Sequence, residues 1–275
     1  PPNLRTFGQR VAWLTFTPPK LPWDGIELWV GELAADGSTT SARRVAGVPA
    51  ESIFQPVWSP AGELYFISDR NDWWNIYRIR GELDEPVCRR EAEFGVPQWA
   101  FGMTRYGFTG ANEIACLYTG AGSTKLGLLD PATGTMKKIE LLYTNLRGLV
   151  ISGRRVAMVA ASPTLSERVL VVDIDSGAQQ VVKVCNPAHL DPGYFSVPQA
   201  IAFPTEGGLT AHAVYYPAEN KDYNGPAGEE PPRAGHSPGD TAERAGARHD
   251  TDTQPRASRG GGPGARGLGH PTSQA

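Results

Sequence analysis

The feature that most constrains this chain is a strand–turn–strand unit that returns four times. Its sharpest copy is Gln55-Pro-Val-Trp-Ser-Pro-Ala-Gly-Glu-Leu-Tyr-Phe-Ile-Ser-Asp-Arg-Asn-Asp-Trp-Trp-Asn-Ile-Tyr-Arg-Ile-Arg80. In Trp58-Ser-Pro-Ala-Gly62, proline presets φ and glycine accepts the positive φ that closes a turn. Glu63–Ser68, rich in aromatic and β-branched residues, predicts a strand. Asp69-Arg70-Asn71-Asp72 predicts a second turn, and Trp74–Ile79 alternates again as the next strand. Weaker copies pair Arg10–Phe16 with Glu27–Leu33, Glu113–Thr119 with Lys125–Asp130, and Arg154–Ala160 with Arg168–Asp175. The copies recur roughly every 40–50 residues, a period suited to four-stranded repeat units that bury their faces against each other.

A glycine turn follows the second strand at Asp36-Gly37, Asp130–Gly134 and Asp175-Ser-Gly177. A further short strand is expected after it, as in Met136–Leu142 and Ala178–Val184. The unit resembles one blade of a β-propeller of the TolB-like or prolyl-oligopeptidase kind. The competing fold is a β-sandwich, which does not ordinarily repeat the same aspartate–glycine turn in phase. No segment before residue 190 sustains a 3.6-residue apolar period, so the expected class is all-β: a partial propeller with about four blades visible.

Composition narrows the function classes. No apolar run is long enough to span a membrane and no signal peptide is evident. Cys88, Cys116 and Cys185 are odd in number and far apart, as expected of reduced thiols in a cytoplasmic protein rather than a disulfide frame or metal site. The first residue is Pro1, so the natural start is expected to lie upstream. All seven tryptophans fall in the first 100 residues. From Arg233 to Ala275 the only large aliphatic residue is Leu268, among nine glycines and six arginines. That stretch carries +2, leaving −5 on the remainder, and it is expected to be disordered because little apolar surface is available to offset its ordering entropy.

Several stretches together resemble the S9 (prolyl oligopeptidase) family of serine peptidases, in its dipeptidyl-aminopeptidase/acylaminoacyl-peptidase branch. They are Pro22–Gly25 with Glu27-Leu-Trp29, Glu51–Pro60, Ser68–Arg70 with Trp73–Tyr77, Glu91–Gly95 with Pro97–Trp99, and Ile201–Pro217. Ala61 departs from the aspartate usual in the blade motif. The resemblance implies an N-terminal propeller that screens peptides by size and a C-terminal α/β-hydrolase domain with a Ser-Asp-His triad. It implies three regions here: a partial propeller over 1–196, a linker and first hydrolase hairpin over 197–232, and an aberrant tail over 233–275. Gln199–Phe203 and Leu209–Tyr216 would pair across Glu206-Gly207-Gly208, with Asn220–Pro232 as a surface loop. A buried strand and a His-Gly-Gly-Pro-type oxyanion segment should follow. The Ala/Arg/Gly/Pro-rich tail stands there instead, and such a bias suits a GC-rich gene read out of frame near residue 232. A natural disordered tail and a divergent domain are the alternatives. The terminal Gly269–Ser273 lacks the paired glycines of an oxyanion segment.

The candidate catalytic residues all have simpler structural readings. Gly235-His-Ser-Pro-Gly239 matches the Gly-x-Ser-x-Gly elbow formally, but no strand leads into Ser237 and Pro-Gly-Asp follows it. His249, Asp250 and Asp252 lie in the same tail, where nothing would hold a base beside a nucleophile. His212 reads as a strand side chain and His189 as a loop residue. Trp73 and Trp74 with Arg70 and Arg78 could stack a base or sugar, but wedge packing between blades explains the aromatics, and the acidic body argues against phosphate binding. Gly260–Gly264 lacks the strand and Lys-Ser/Thr of a phosphate loop. Glu51, Glu91 and Glu93 could bind a peptide amino terminus, although they read as solvated surface charges. No catalytic, cofactor-binding or metal residue is therefore assigned, and no cofactor, nucleic acid or membrane partner is expected. The expected role is the substrate-gating propeller portion of an S9-type peptidase acting on short peptides, inactive without the hydrolase domain. The alternative is a stand-alone TolB-like propeller that binds a protein partner.

Overall fold

The structure is a computed structural model and describes residues 5–100, 102–186, 191–223, 225 and 234–235. Each repeat forms one four-stranded antiparallel sheet with its strands in chain order. Blade I comprises β1 (Arg5–Phe7), β2 (Arg10–Thr15), β3 (Glu27–Leu33) and β4 (Thr39–Ala46); blade II comprises β5 (Ile53–Trp58), β6 (Leu64–Ser68), β7 (Asn75–Arg80) and β8 (Leu83–Cys88). Blade III comprises β9 (Tyr106–Gly110), β10 (Glu113–Gly120), β11 (Ser123–Leu129) and β12 (Met136–Ile139); blade IV comprises β13 (Asn145–Ser152), β14 (Arg155–Ser162), β15 (Leu165–Asp173) and β16 (Gln179–Val184).

The first strand of each blade lies beside the first strand of the next: β1 adjoins β5, and β9 adjoins β13. Between β5 and β9, the Gln55 side-chain amide donates to the Tyr106 carbonyl at 2.7 Å. The sheets therefore radiate from a shared inner edge, as propeller blades do. Burial follows from the two-residue strand period. In β6, Leu64 and Phe66 enter the core between blades I and II with Leu14, Leu28 and Tyr77. The alternate residues Tyr65 and Ile67 enter the core between blades II and III with Phe94, Ile114 and Cys116. In β10, Ala115 and Leu117 turn to a third core shared with Met158, Leu170 and Val172 of blade IV. A strand with a blade on either side is thus buried at every position, and β6 meets this with four apolar residues and the hydrogen-bonded Ser68.

The sequence predicts the middle strands of each blade well. It misses the inner strands as strands, because their composition hides them. β5 contains Pro56 and a bulge at which Gln55 adopts φ 48°, and β9 reads Tyr-Gly-Phe-Thr-Gly. Proline is tolerated in β5 because the bulge interrupts the ladder there. After blade IV, β17 (Gln199–Pro204) pairs with β18 (Thr210–Tyr215) across a 3-10 turn at Glu206–Gly208. Gly207 and Gly208 have φ of 71° and 77°, which explains the glycine pair. β19 (Ala234–Gly235), within the stretch expected to be disordered, pairs by its backbone with Val214 and Tyr215 of β18.

Candidate functional site

Antiparallel order gives the arc two distinct ends. One, the turn face, carries the links between first and second and between third and fourth strands. The other, the crossover face, carries the links between second and third strands and from each blade to the next. The chain leaves blade IV on the crossover face. The β17–β18 hairpin stays there: a Cβ built on Gly122, in a crossover-face turn of blade III, would sit 4.0 Å from the Ala200 Cβ.

Of the residues singled out in the sequence, Glu51, Arg70, Trp74, Glu91 and Glu93 gather on this face, several in roles different from those expected, whereas Arg78 lies toward the turn face. Glu51 is 3% exposed rather than a solvated charge. The Ser68 hydroxyl and Arg70 Nε donate to it at 2.5 and 2.8 Å, and the Val48 N–H at 3.1 Å. It is buried because the 47–52 link folds beneath the 69–74 turn, where the Ser52 N–H donates to Asp69 at 2.7 Å. Arg70 also pairs with Asp84 and lies over the Tyr77 ring, 4.6 Å from its centroid. Glu93 is half-buried and accepts the Trp74 N–H at 2.9 Å, whereas Glu91 is exposed. Glu51 and Glu93 are thus engaged in holding loops, which leaves no shared acidic site with Glu91 for a peptide amino terminus. Trp74 is buried edge-on against Phe54 between blades II and III, as wedge packing requires. Arg78 reaches Glu85 and donates to the Pro131 carbonyl of the next blade at 3.2 Å.

Sequence reasoning missed two features. Arg105 is 5% exposed and donates to the carbonyls of Phe94, Leu146 and Glu93 at 3.3–3.4 Å and to Thr119 Oγ1 at 3.1 Å. Burial lowers its pKa to about 10. Its backbone N–H donates to Gln55 Oε1 at 2.6 Å, and the Tyr106 hydroxyl donates to the Gln55 carbonyl at 3.0 Å. Gln55 thereby clamps blade II to blade III at the inner edge. A polar residue beside a proline inside an apolar run is the sequence signal that could have revealed it. The second feature is the Trp23–Trp99 pair, with ring centroids 4.3 Å apart and Trp99 74% exposed, an aromatic surface on the crossover face.

This face can hold a ligand by stacking and hydrogen bonding. The Ser68 hydroxyl that meets Glu51 is fully buried, out of a substrate's reach. His212 is exposed on β18 and makes no hydrogen bond to a serine among the described residues. Burial raises the Cys116 thiol to about 12, which keeps it protonated and inert. Cys88 is also a buried free thiol, and Cys185 is an exposed one. No three His, Cys, Asp or Glu side chains come together as a metal-binding set among the described residues, and no described helix is long and apolar enough to cross a membrane. His189, Ser237, His249, Asp250, Asp252, Gly260–Gly264 and Gly269–Ser273 lie outside the described residues.

Four radial, four-stranded antiparallel sheets followed by a separate hairpin define the class as an all-β propeller arc. No family model and no curated protein matches the chain. Solved structures do. A puromycin hydrolase is 34% identical with a TM-score of 0.76, over 84% of this chain and 36% of that one. A Mycobacterium tuberculosis puromycin-hydrolyzing peptidase is 32% identical with a TM-score of 0.76, over 84% and 35%. Prolyl oligopeptidase B from Galerina marginata shares the fold at 12% identity and a TM-score of 0.59, over 77% and 29%. The chain spans about a third of the length of the first two. It belongs to the S9 family of serine peptidases, and the part it covers is the N-terminal propeller region.

Proposed function

We propose that this chain is the substrate-gating propeller portion of an S9 peptidase that acts on short peptides, in the manner of a dipeptidyl or acylaminoacyl peptidase. The observation that carries the reading is the hairpin. β17 and β18 come after blade IV, and Ala200 of the hairpin lies beside Gly122 on the crossover face, where the family resemblance puts the opening strands of a hydrolase domain. A catalytic domain continuing from that hairpin would face the Trp23–Trp99 surface and the 47–52, 69–74 and 89–105 links. Peptides would then approach the catalytic serine across a rigid rim, and the rim would exclude folded proteins by size. The hydrolysis itself, through a serine acyl-enzyme and a histidine base, would belong to that domain.

This chain is expected not to turn over chromogenic dipeptide or acyl-amino-acid substrates. Robust turnover that disappears in Ser237→Ala would overturn this. A shift of reading frame near residue 232 is part of the same proposal. Sequencing the gene across the codons for Glu230–Arg233 tests it: another frame should continue into a buried strand, an oxyanion segment and a Gly-x-Ser-x-Gly elbow. If none does, the stand-alone binding module replaces the peptidase reading.

A further inference from the structure

On the turn face, away from the hairpin, a crevice of about 290 Å³ opens between blades I and II. Val45, Leu64 and Ile79 make its walls apolar. Arg10, Arg43 and Arg80 bring three guanidinium groups to it against the one carboxylate of Glu63. The arginines differ in what already satisfies them. Arg10 donates to the Gly62 carbonyl at 2.9 Å and lies over the Trp58 ring, 4.5 Å from its centroid, so it is held in place. Gly62, at φ 80°, keeps that position open, because a Cβ there would stand 2.7 Å from the Arg10 guanidinium. Arg80 faces Glu63 at 3.5 Å and Glu85 at 3.4 Å.

The Arg43 side chain forms no ion pair or hydrogen bond among the described residues. Its neighbour Arg44 projects from the other side of β4 and meets Glu27 at 2.9 Å. The strand is bulged just before Arg43: Ser41 has φ 52°, and the pairing with β3 passes from Thr40 to Arg43. Bulges re-aim the side chains beside them, and this one turns Arg43 with Val45 toward blade II. The crevice therefore combines spare positive charge with apolar walls. A guanidinium fork matches a carboxylate in plane and spacing, and apolar walls take up the group carried beside it.

We propose that this crevice binds a carboxylate borne on a single apolar residue, Arg43 and Arg10 holding the carboxylate while Val45, Leu64 and Ile79 enclose the side chain. The volume suits one residue rather than an extended peptide. The surplus of guanidinium over carboxylate disfavours a free amino acid with its ammonium group. The ligand is accordingly the carboxy-terminal residue of a peptide or an N-acylated amino acid. The site lies on the face opposite the proposed catalytic context and stands independently of it.

Isothermal titration of the whole chain with N-acetyl-leucine, N-acetyl-leucine amide, the tripeptide Gly-Gly-Leu and inorganic phosphate tests the proposal. The acid is expected to bind at least about tenfold more tightly than its amide. Arg43→Ala should weaken acid binding by a similar factor, while Arg44→Ala, on the other side of the strand, should leave it unchanged. Tighter binding of Gly-Gly-Leu than of N-acetyl-leucine supports a peptide terminus as the source, and the reverse order supports the acylated amino acid. Equal binding of acid and amide, an Arg43→Ala variant that binds like the parent, or phosphate binding as tightly as N-acetyl-leucine would overturn it. Arg43 is exposed, and circular dichroism of the variant confirms that it folds.

Discussion

Blades II and IV have the same strand order, yet their strands are buried very differently. Blade II lies between two neighbours, and its second strand reads Leu-Tyr-Phe-Ile-Ser with every residue buried. Blade IV packs on blade III through Val156, Met158, Leu170 and Val172, and its second strand buries only alternate residues from Val156 to Ala160, while Val181 and Val182 of its outermost strand are 43% and 57% exposed. Similar residues thus differ in energetic weight according to what flanks their sheet. A flanked blade stores its stability in both faces, whereas a blade packed on one side stores it in alternate positions only.

The largest expected effect breaks this comparison at its centre. Phe66→Ala should cost about 3–5 kcal/mol in urea denaturation, because Phe66 is fully buried in the core between blades I and II. Val182→Ala should cost less than about 0.5 kcal/mol. A loss at Val182 well above this value would mean that blade IV is covered on its outer side in solution. Next comes Glu51→Ala, which removes the acceptor of the buried Ser68 hydroxyl and one of the two carboxylates that Arg70 pairs with, leaving Asp84. The expected loss is about 2–3 kcal/mol, at the low end for a broken pair because Arg70 is 26% exposed.

Gln55→Ala should cost about 2 kcal/mol, since it leaves the buried Arg105 N–H and Tyr106 carbonyl without their side-chain partner. The matching tie between blades III and IV is Arg154, which donates to Glu113 and Asp175 on the surface. Arg154→Ala is expected to have the smallest effect of the series, because exposed pairs are screened.

Acid should remove even that small difference. The Arg154 guanidinium, by hydrogen bonding, holds the Asp175 carboxyl below its ordinary value of 3.8. A depressed carboxyl contributes its stability fully above the unfolded value and loses it as pH falls through the folded value. Parent and Arg154→Ala melting temperatures should therefore converge below about pH 3.8. A gap that persists there would place the tie elsewhere.

The legible part of the fold was the part with strong local signals. Glu27–Leu33 was predicted residue for residue as β3, and the hairpin within one residue at each end, because alternation and glycine turns are local properties. The inner strands were not legible as strands. β9 has two glycines, β5 has a proline at a bulge, and what makes them strands is the adjoining blade rather than their own propensity. The candidate face was legible as a collection of residues but not as a set of roles. Glu51 and Glu93 look like surface charges in the chain because a carboxylate's burial depends on partners brought by other segments.

The sequence by itself determined the repeat, the all-β class and the point at which the hairpin follows the last blade, since period-two patterning and turn residues act within a few positions of themselves. Only the tertiary structure decided which face of each strand meets which core, that Gln55 and Arg105 lock neighbouring blades, and that Arg43 and Arg44, adjacent in the chain, face an open crevice and a carboxylate respectively. Those outcomes depend on surfaces separated by tens of residues, and a side chain's burial and charge pairing are settled by whatever packing brings beside it.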